Sequence, residues 1–376
     1  MDFDYTVMPI AIVVIALTFD ALCLGYLRRL SLKRLSHRHP SIRRVLPFAA
    51  AIVVTTVASW CAYNAMATHV FWAKHPPAGR FEMVNGSRMH IDCTGSGSPT
   101  LVLDAGLGGD TVSWTPLQPT LSRTTQVCSY DRPGFGWSQA VPGPRDADHV
   151  ANELQLLLRQ AGVDGPLVLA GDSIAGLYIR DYAALYPSEV AGLIFVDSST
   201  PFQDRNAPYA ARRWDPRSWF FRAALILGVP RLIGMCSHPG DGADAAFETI
   251  RNEDICRFHY GPYAAELGGF DRSSQQVERS PSFGSIPILI FSHDPLGPIP
   301  RNPQSEADKA QQSVWNEMQE NLKTLSTRSR RIIVTGGSHR LDQERPDLIE
   351  TDVAEFIQQI RGAAPAPSDY GSTKRE

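Results

Sequence analysis

The sequence predicts an α/β domain with eight strands in a mostly parallel sheet, an inserted helical cap, and two membrane-spanning helices in front of it. Three observations carry this expectation. From Phe81 onward, short apolar runs alternate with helix-length amphipathic stretches, the pattern of parallel strands joined by crossover helices. Residues 201–285 separate the sixth and seventh strand-like runs, more chain than one crossover needs. Ahead of the domain lie two apolar stretches, Val7 to Leu27 and Val45 to Trp72, each long enough to cross a bilayer.

The anchor is expected over residues 1–75, with spans at about 7–27 and 45–72. Only Asp20 interrupts the first apolar stretch, and no charge interrupts the second. The loop between them holds Arg28, Arg29, Lys33, Arg34, Arg38, Arg43 and Arg44 without an acid, which places it on the cytoplasmic side, with Asp2 and Asp4 outside. Everything after about residue 73 is then extracytoplasmic. Ala65-Met66-Ala67 has the spacing of a signal-peptidase site, but the apolar stretch is longer than a signal core and a separate hydrophobic segment precedes it. Only five of 36 basic residues are lysine, a bias that fits a GC-rich bacterial source, and the expected location is a bacterial inner membrane.

The α/β core is expected at 76–200 and 286–362. Phe81 to Val84 and Arg88 to Cys93 flank Asn85-Gly86 and read as a hairpin. Leu101 to Leu103, Gln126 to Tyr130, Leu167 to Ala170, Leu193 to Val196, Ile288 to Phe291 and Ile332 to Val334 complete the eight strands. Between them the helical pattern Asp148 to Ala161 puts Val150, Leu154, Leu157 and Leu158 on one face, with Asp148 as N-cap and Gly162 past its end. Ile174 to Tyr186 stops at Pro187, Ser305 to Leu325 is polar and superficial, and Pro346 to Ile360 closes the domain. The insert at 201–285 is rich in large apolar groups such as Trp214, Trp219, Phe220 and Phe221, and reads as a helical mini-core or lid. Residues 363–376 read as a disordered tail.

Charge and cysteine content remove other classes. With 36 Lys+Arg against 39 Asp+Glu and a net charge of −3, there is no basic excess for a phosphate backbone, so no nucleic-acid partner is expected. Of six cysteines, Cys23 and Cys61 fall in the proposed spans, and Cys93, Cys128, Cys236 and Cys256 in the exported part. No Cys-x-x-Cys and no zinc-type Cys/His spacing occurs, so disulfides are the better reading and no metal is expected.

One segment carries the chemistry. Gly171-Asp172-Ser173-Ile174-Ala175-Gly176 follows a strand directly and opens a helix. A serine at such a turn is strained with its hydroxyl projecting, and the next backbone N–H, that of Ile174, faces the same space at a helix N-terminus. Ser138 has the same Gly-x-Ser-x-Ala spacing, but Pro142, Gly143 and Pro144 follow it, so no helix starts there. A serine nucleophile needs a base and an acid that orients the base. His339, in Thr335-Gly336-Gly337-Ser338-His339, and Asp294, after the strand Pro287 to Ser292, both sit at carboxyl ends of strands, where α/β sites collect. The order Ser173, Asp294, His339 is that of the Ser, acid, His triads. Asp197 is the reserve acid, and His293 reads as a bystander.

From about Phe81 to Ile360 the chain resembles the α/β-hydrolase superfamily. Leu101 to Gly109 looks like that family's oxyanion loop, with Ala105-Gly106 in place of the usual His-Gly, and the resemblance makes Leu107 N–H the partner of Ile174 N–H. Tyr130-Asp131-Arg132-Pro133-Gly134-Phe135-Gly136-Trp137-Ser138 resembles a structural turn of the family and so accounts for Ser138. Gly337-Ser338-His339 followed by Arg345-Pro346 resembles the family's histidine loop and closing helix. Two positions depart from the pattern: Asp172 replaces the usual His before the nucleophile, and Ala175 replaces a Gly. A carboxylate facing inward at Asp172 would oppose an oxyanion.

The family's strand order makes its second and fourth strands neighbours, which implies a Cys93–Cys128 bridge and leaves Cys236–Cys256 to close the insert. The resemblance implies a serine hydrolase that cleaves a small or lipid-like acyl substrate without metal or organic cofactor, and the apolar stretches ahead of it imply that it is membrane-anchored. An acyltransferase and a catalytically silent binding protein are the alternatives on the same fold.

Overall fold

The computed structural model describes residues 18, 21, 22, 25, 42–201, 203, 217–236, 245–257, 260–280, 282–294, 306–362 and 372–375. The chain divides into two compact units, Met1–Pro76 with Pro216–Phe258, and Pro77–Asp215 with His259–Glu376. The longer helices run in chain order α1 (Ile42–Lys74), α2 (Ala147–Gln160), α3 (Ala175–Leu185), α4 (Arg217–Ile226), α5 (Ala245–Arg257), α6 (Tyr260–Val277), α7 (Glu306–Asn321) and α8 (Pro346–Ile360). The strands are β1 (Arg80–Val84), β2 (Ser87–Thr94), β3 (Thr100–Asp104), β4 (Val127–Tyr130), β5 (Leu167–Asp172), β6 (Val190–Val196), β7 (Ile288–His293), β8 (Ser329–Val334) and β9 (Ser372–Arg375).

In the first unit, α1 contains a 26-residue stretch, Ala49–Lys74, long and apolar enough to cross a membrane. At 1.5 Å per residue it is about 39 Å long, more than the ~30 Å hydrocarbon thickness. Leu46, Ile52, Val53, Val57 and Met66 are exposed along α1. Its later turns also carry polar contacts: Trp60 Nε1–H donates to Leu227 O (3.0 Å), and Arg231 donates to Asn64 Oδ1 and Thr68 Oγ1 (3.0 Å each). Arg231 also pairs with Glu253 of α5, and the Arg257 guanidinium lies 3.7 Å from the Trp72 ring centroid. Cys236 and Cys256 are bridged, with Cα atoms 5.8 Å apart. Among the described residues this is the one helix that meets the test for a span. The other expected span, about 7–27, lies outside the described residues apart from residues 18, 21, 22 and 25.

The second unit is built on one sheet in the order β1-β2-β4-β3-β5-β6-β7-β8-β9. Neighbours are parallel from β4 onward, and antiparallel at β1–β2 and β2–β4. Alternation along the strands divides the core into two layers. Val102, Leu167, Leu169, Leu193, Phe195 and Ile290 pack with Leu154, Leu157 and Tyr182 of α2 and α3 on one face. Leu101, Leu103, Val168, Ala170, Ile194 and Phe291 pack with Ile349, Val353 and Phe356 of α8 on the other. Cys93 and Cys128 are register partners across β2–β4 and form the second disulfide.

The sheet has nine strands where eight were expected. The extra one, β9, comes from the tail read as disordered; residues 363–371 lie outside the described set. All four β9 side chains are exposed, so no apolar alternation marks it. What it gains is the backbone ladder along the open edge of β8, continued by Thr335 N–H donating to Arg375 O (2.8 Å). The N-cap of α2 is also shifted from the expected Asp148: Asp146 caps it, accepting from His149 N–H. The insert expected as one cap divides at residue 258, and α6 belongs to the second unit.

Candidate active site

The site lies at the carboxyl ends of β5, β6, β7 and β8, where consecutive turns leave the sheet. Ser173 joins β5 to α3 with φ +51°, in the left-handed region that L-residues occupy rarely. Hydrogen bonds from both sides hold it there. Ser173 N–H donates to Val196 O (3.1 Å), and Ser173 O accepts from Gly176 N–H (3.1 Å) and Ser199 N–H (2.7 Å). Small neighbours make the turn possible: a Cβ on Gly171 would strike Ala175 O, and one on Gly176 would strike the Ser198 side chain.

His339 follows β8 in a loop tied by Ser338, whose N–H and hydroxyl donate to the two carboxylate oxygens of Glu344 (2.7 and 2.9 Å). Its Nε2 lies 3.0 Å from Ser173 Oγ, and its Nδ1 lies 2.6 Å from Asp197 Oδ2. With Nδ1–H donating to the carboxylate, Nε2 is left to accept the serine hydroxyl proton. The ring is about half-exposed, and what burial it has works against the charged imidazolium, but Asp197, with Asp172 and Asp342 beyond it, outweighs that and pushes the His339 pKa up to about 9.

The acid at this histidine is Asp197, not Asp294. Both ring nitrogens of His339 are taken, by Asp197 and Ser173, whereas Asp294 pairs with Lys374 Nζ of β9 at 2.6 Å. The pleat explains the difference. His293, the last residue of β7, turns its ring to Asp197, so the following Asp294, whose N–H continues the ladder to Val334 O, faces the other way. Asp197 leaves β6 at φ +43°, and the sequence does not announce that turn.

Asp197 is fully buried, and its oxygens are well supplied with donors. Oδ2 accepts from His339 Nδ1 and His293 Nδ1 (2.8 Å), and Oδ1 accepts from His293 N–H (3.1 Å) and Trp315 Nε1–H (3.0 Å). Burial alone would raise its pKa, but the hydrogen bonds to His293 and His339 hold it well below the usual carboxylate range. His293, read from the sequence as a bystander, thus shares the carboxylate with His339, and its Nε2 meets Gln312 Oε1 at 2.8 Å. Trp315 also stands edge-on to the His339 ring, 5.3 Å between centroids. No sequence signal separated His293, Trp315 and Gln312 from ordinary surface-helix and strand residues.

Across the site, Leu107 and Ile174 pack in one cluster behind the β3 turn and the Ser173 turn. The β3 turn is set by Arg132, which is 1% exposed. Its guanidinium donates to Ala105 O (2.5 Å), Gly106 O (2.8 Å) and Asp104 Oδ1 (2.7 Å), and to Glu266 of α6 at 2.6 and 3.0 Å. A trans peptide sets C=O and N–H on opposite sides, so drawing Gly106 O to Arg132 aims Leu107 N–H away from it. Ser138, the rival serine, is buried: its hydroxyl donates to Asp131 O (2.6 Å) and accepts from His90 N–H (2.8 Å).

Asp172 lies against Gly106, where a Cβ would collide with its carboxylate oxygen. Burial first, and then the charge of Asp342, hold its pKa well above the ordinary range, while Asp342 itself is pushed up to about 6 by burial. A carboxyl whose pKa is raised in this way gives up its proton less readily, which weakens the opposition it would offer to a developing oxyanion.

Parallel strands around a strand-turn-helix serine, with a histidine reaching it from the loop after β8, settle the architecture. The chain has the α/β-hydrolase fold. A family model described as the alpha/beta hydrolase fold matches residues 99–225. A thermophilic esterase from Thermogutta terrifontis superposes with a TM-score of 0.53 at 20% identity, over 76% of this chain and 99% of that one. Among curated proteins, this α/β-hydrolase-fold chain is 43% identical over 84 residues to an uncharacterized protein of Schizosaccharomyces pombe, covering 22% of the chain and 16% of that protein. It is 35% identical over 118 residues to a pimeloyl-[acyl-carrier protein] methyl ester esterase of Shewanella sp. strain MR-7, covering 31% of the chain and 41% of that protein. The chain thus spans less than half the length of these two curated relatives.

Proposed function

We propose that this chain is a serine hydrolase that cleaves an ester or related acyl bond through an acyl-enzyme. The observation that carries the reading is the continuous hydrogen-bonded chain Ser173 Oγ, His339 Nε2, His339 Nδ1, Asp197 Oδ2, at 3.0 and 2.6 Å. In this reading His339 takes the Ser173 proton as Oγ attacks the acyl carbon, and Asp197 holds the tautomer and stabilises the imidazolium. The Leu107 and Ile174 N–H groups receive the oxyanion. Collapse expels the alcohol, which takes the proton from His339. Water deprotonated by His339 then attacks the acyl-enzyme, releasing the acid and restoring Ser173. The esterase names of two relatives agree with an acyl substrate.

The same proposal places the enzyme on a membrane, with α1 as anchor and the hydrolase unit extracytoplasmic. The length and apolar surface of Ala49–Lys74 support the anchor, and the two disulfides support an oxidising compartment. A fluorophosphonate probe tests the chemistry: covalent labelling of the full chain that disappears in Ser173→Ala is expected, with hydrolysis of a simple ester lost in parallel. Labelling that persists in Ser173→Ala would remove the nucleophile. Acyl transfer to an added alcohol without free acid would assign a transferase instead.

A further inference from the structure

A second polar centre lies in the hydrolase unit outside the Ser173 site. A cavity of about 400 Å³ is lined by Arg180 of α3, Thr200 and Pro201 of the segment after β6, Glu278 after α6, and Met318, Leu322 and Leu325 at and just past the end of α7. Arg180 is only 6% exposed, and its Nε has no hydrogen-bond partner. Thr200 is 2% exposed, and its hydroxyl is likewise without a partner. Native proteins leave few buried polar groups unpaired, and a guanidinium carries the largest demand among them, since it stays charged and offers five donors. The acids around it are Glu278, which lines the same cavity, and Asp181, which Arg279 engages at 3.2 Å. Burial lowers the Arg180 pKa to about 10, against the opposing pull of Glu278 and Asp181.

We propose that this cavity binds a short aliphatic carboxylate, its anionic end on Arg180 and Thr200 and its alkyl chain against Pro201, Met318, Leu322 and Leu325. Shape and charge select that class. A carboxylate matches the planar guanidinium fork and accepts from the threonine hydroxyl. The apolar wall has nothing to offer a small hydrated anion, and Glu278 repels a dianion. The site stands apart from the Ser173 centre but shares the segment that begins at Asp197, because Thr200 lies three residues beyond that acid.

The test is calorimetric titration of the full chain in detergent with hexanoate, hexanol and inorganic phosphate, in wild type and Ser173→Ala. Saturable hexanoate binding of equal strength in both is expected, with hexanol and phosphate at least tenfold weaker. Arg180→Gln should weaken hexanoate at least tenfold. Thr324→Trp, placed on an exposed lining residue that the core does not use, should block it while leaving the fold intact, so the question is answered even if Arg180→Gln misfolds. Absence of hexanoate binding in wild type, binding that survives Thr324→Trp, or binding that is lost in Ser173→Ala would overturn the proposal. Equal binding of phosphate or hexanol would overturn the carboxylate assignment.

Discussion

Replacing Asp197 by Asn distinguishes the acid that the tertiary structure brings to His339 from the one its chain order suggested. Asn keeps the shape and one acceptor oxygen, but sets an amide NH₂ or a neutral oxygen against His339 Nδ1, where a carboxylate now accepts at 2.6 Å. The imidazole then loses the partner that holds Nε2 free for Ser173, and the charge that stabilises the imidazolium. Comparable acid-to-amide changes in Ser-His-Asp sites cost about 10⁴ in kcat, which at about 1.4 kcal/mol per decade is roughly 5 kcal/mol of transition-state stabilisation. We expect Asp197→Asn to lose about 10³- to 10⁴-fold in kcat for a chromogenic ester, in protein whose circular dichroism is unchanged. Its residual activity should also titrate at lower pH, because the imidazolium loses the hydrogen bond and charge of Asp197 that raise its pKa. Asp294→Asn removes the ion pair to Lys374, whose side chain is 54% exposed. It should cost about 0–1 kcal/mol of stability and leave kcat unchanged. A deep loss in Asp294→Asn, or near-wild-type turnover in folded Asp197→Asn, would refute the assignment.

Other consequences are open to the same assay. His339 acts as a base only when neutral, so with its pKa raised to about 9 the free-enzyme kcat/KM should climb with pH through a limb near 9; a limb near 6.5 would show that the surrounding carboxylates do not act on it. The same shift makes the His339–Asp197 contact stabilising below the ordinary histidine range, a contribution lost as pH rises through about 9, readable as a falling denaturation midpoint. Asp172→Asn mimics a protonated carboxyl and should leave kcat/KM at pH 7 within about threefold, whereas a tenfold rise would mean that Asp172 is ionised and opposes the oxyanion. Converting Cys93 and Cys128 to Ser opens a cross-link between residues 35 apart and should cost about 3–4 kcal/mol by chemical denaturation, with peptide mapping of the unreduced wild type recovering the Cys93–Cys128 and Cys236–Cys256 pairs.

Asp104, Arg132 and Glu266 illustrate how a motif seen in one dimension acquires a partner in three. The turn Tyr130 to Ser138 was legible as a structural motif, but its arginine is anchored by Glu266, 134 positions away on a helix expected to belong to the insert. Nothing in the local composition around Glu266 distinguishes it from a solvent-facing acid, and it is fully buried.

Local chemistry sufficed wherever a residue's role follows from its immediate neighbours. The strand-turn-helix around Ser173, the glycine-rich loop of His339 and the alternating core strands belong to that kind, whereas the cysteine pairing came from the strand order that the resemblance implied. Where a role depends on which way a side chain faces after long-range packing, the chain alone was insufficient. One residue of pleat sends His293 toward Asp197 and Asp294 toward Lys374, and an exposed edge let four polar residues add a ninth strand that no burial pattern marks. Periodicity encodes which residues are buried along one element. The partner of a buried charge is decided only when distant elements meet, because that pairing is set by the direction of each turn leaving the sheet.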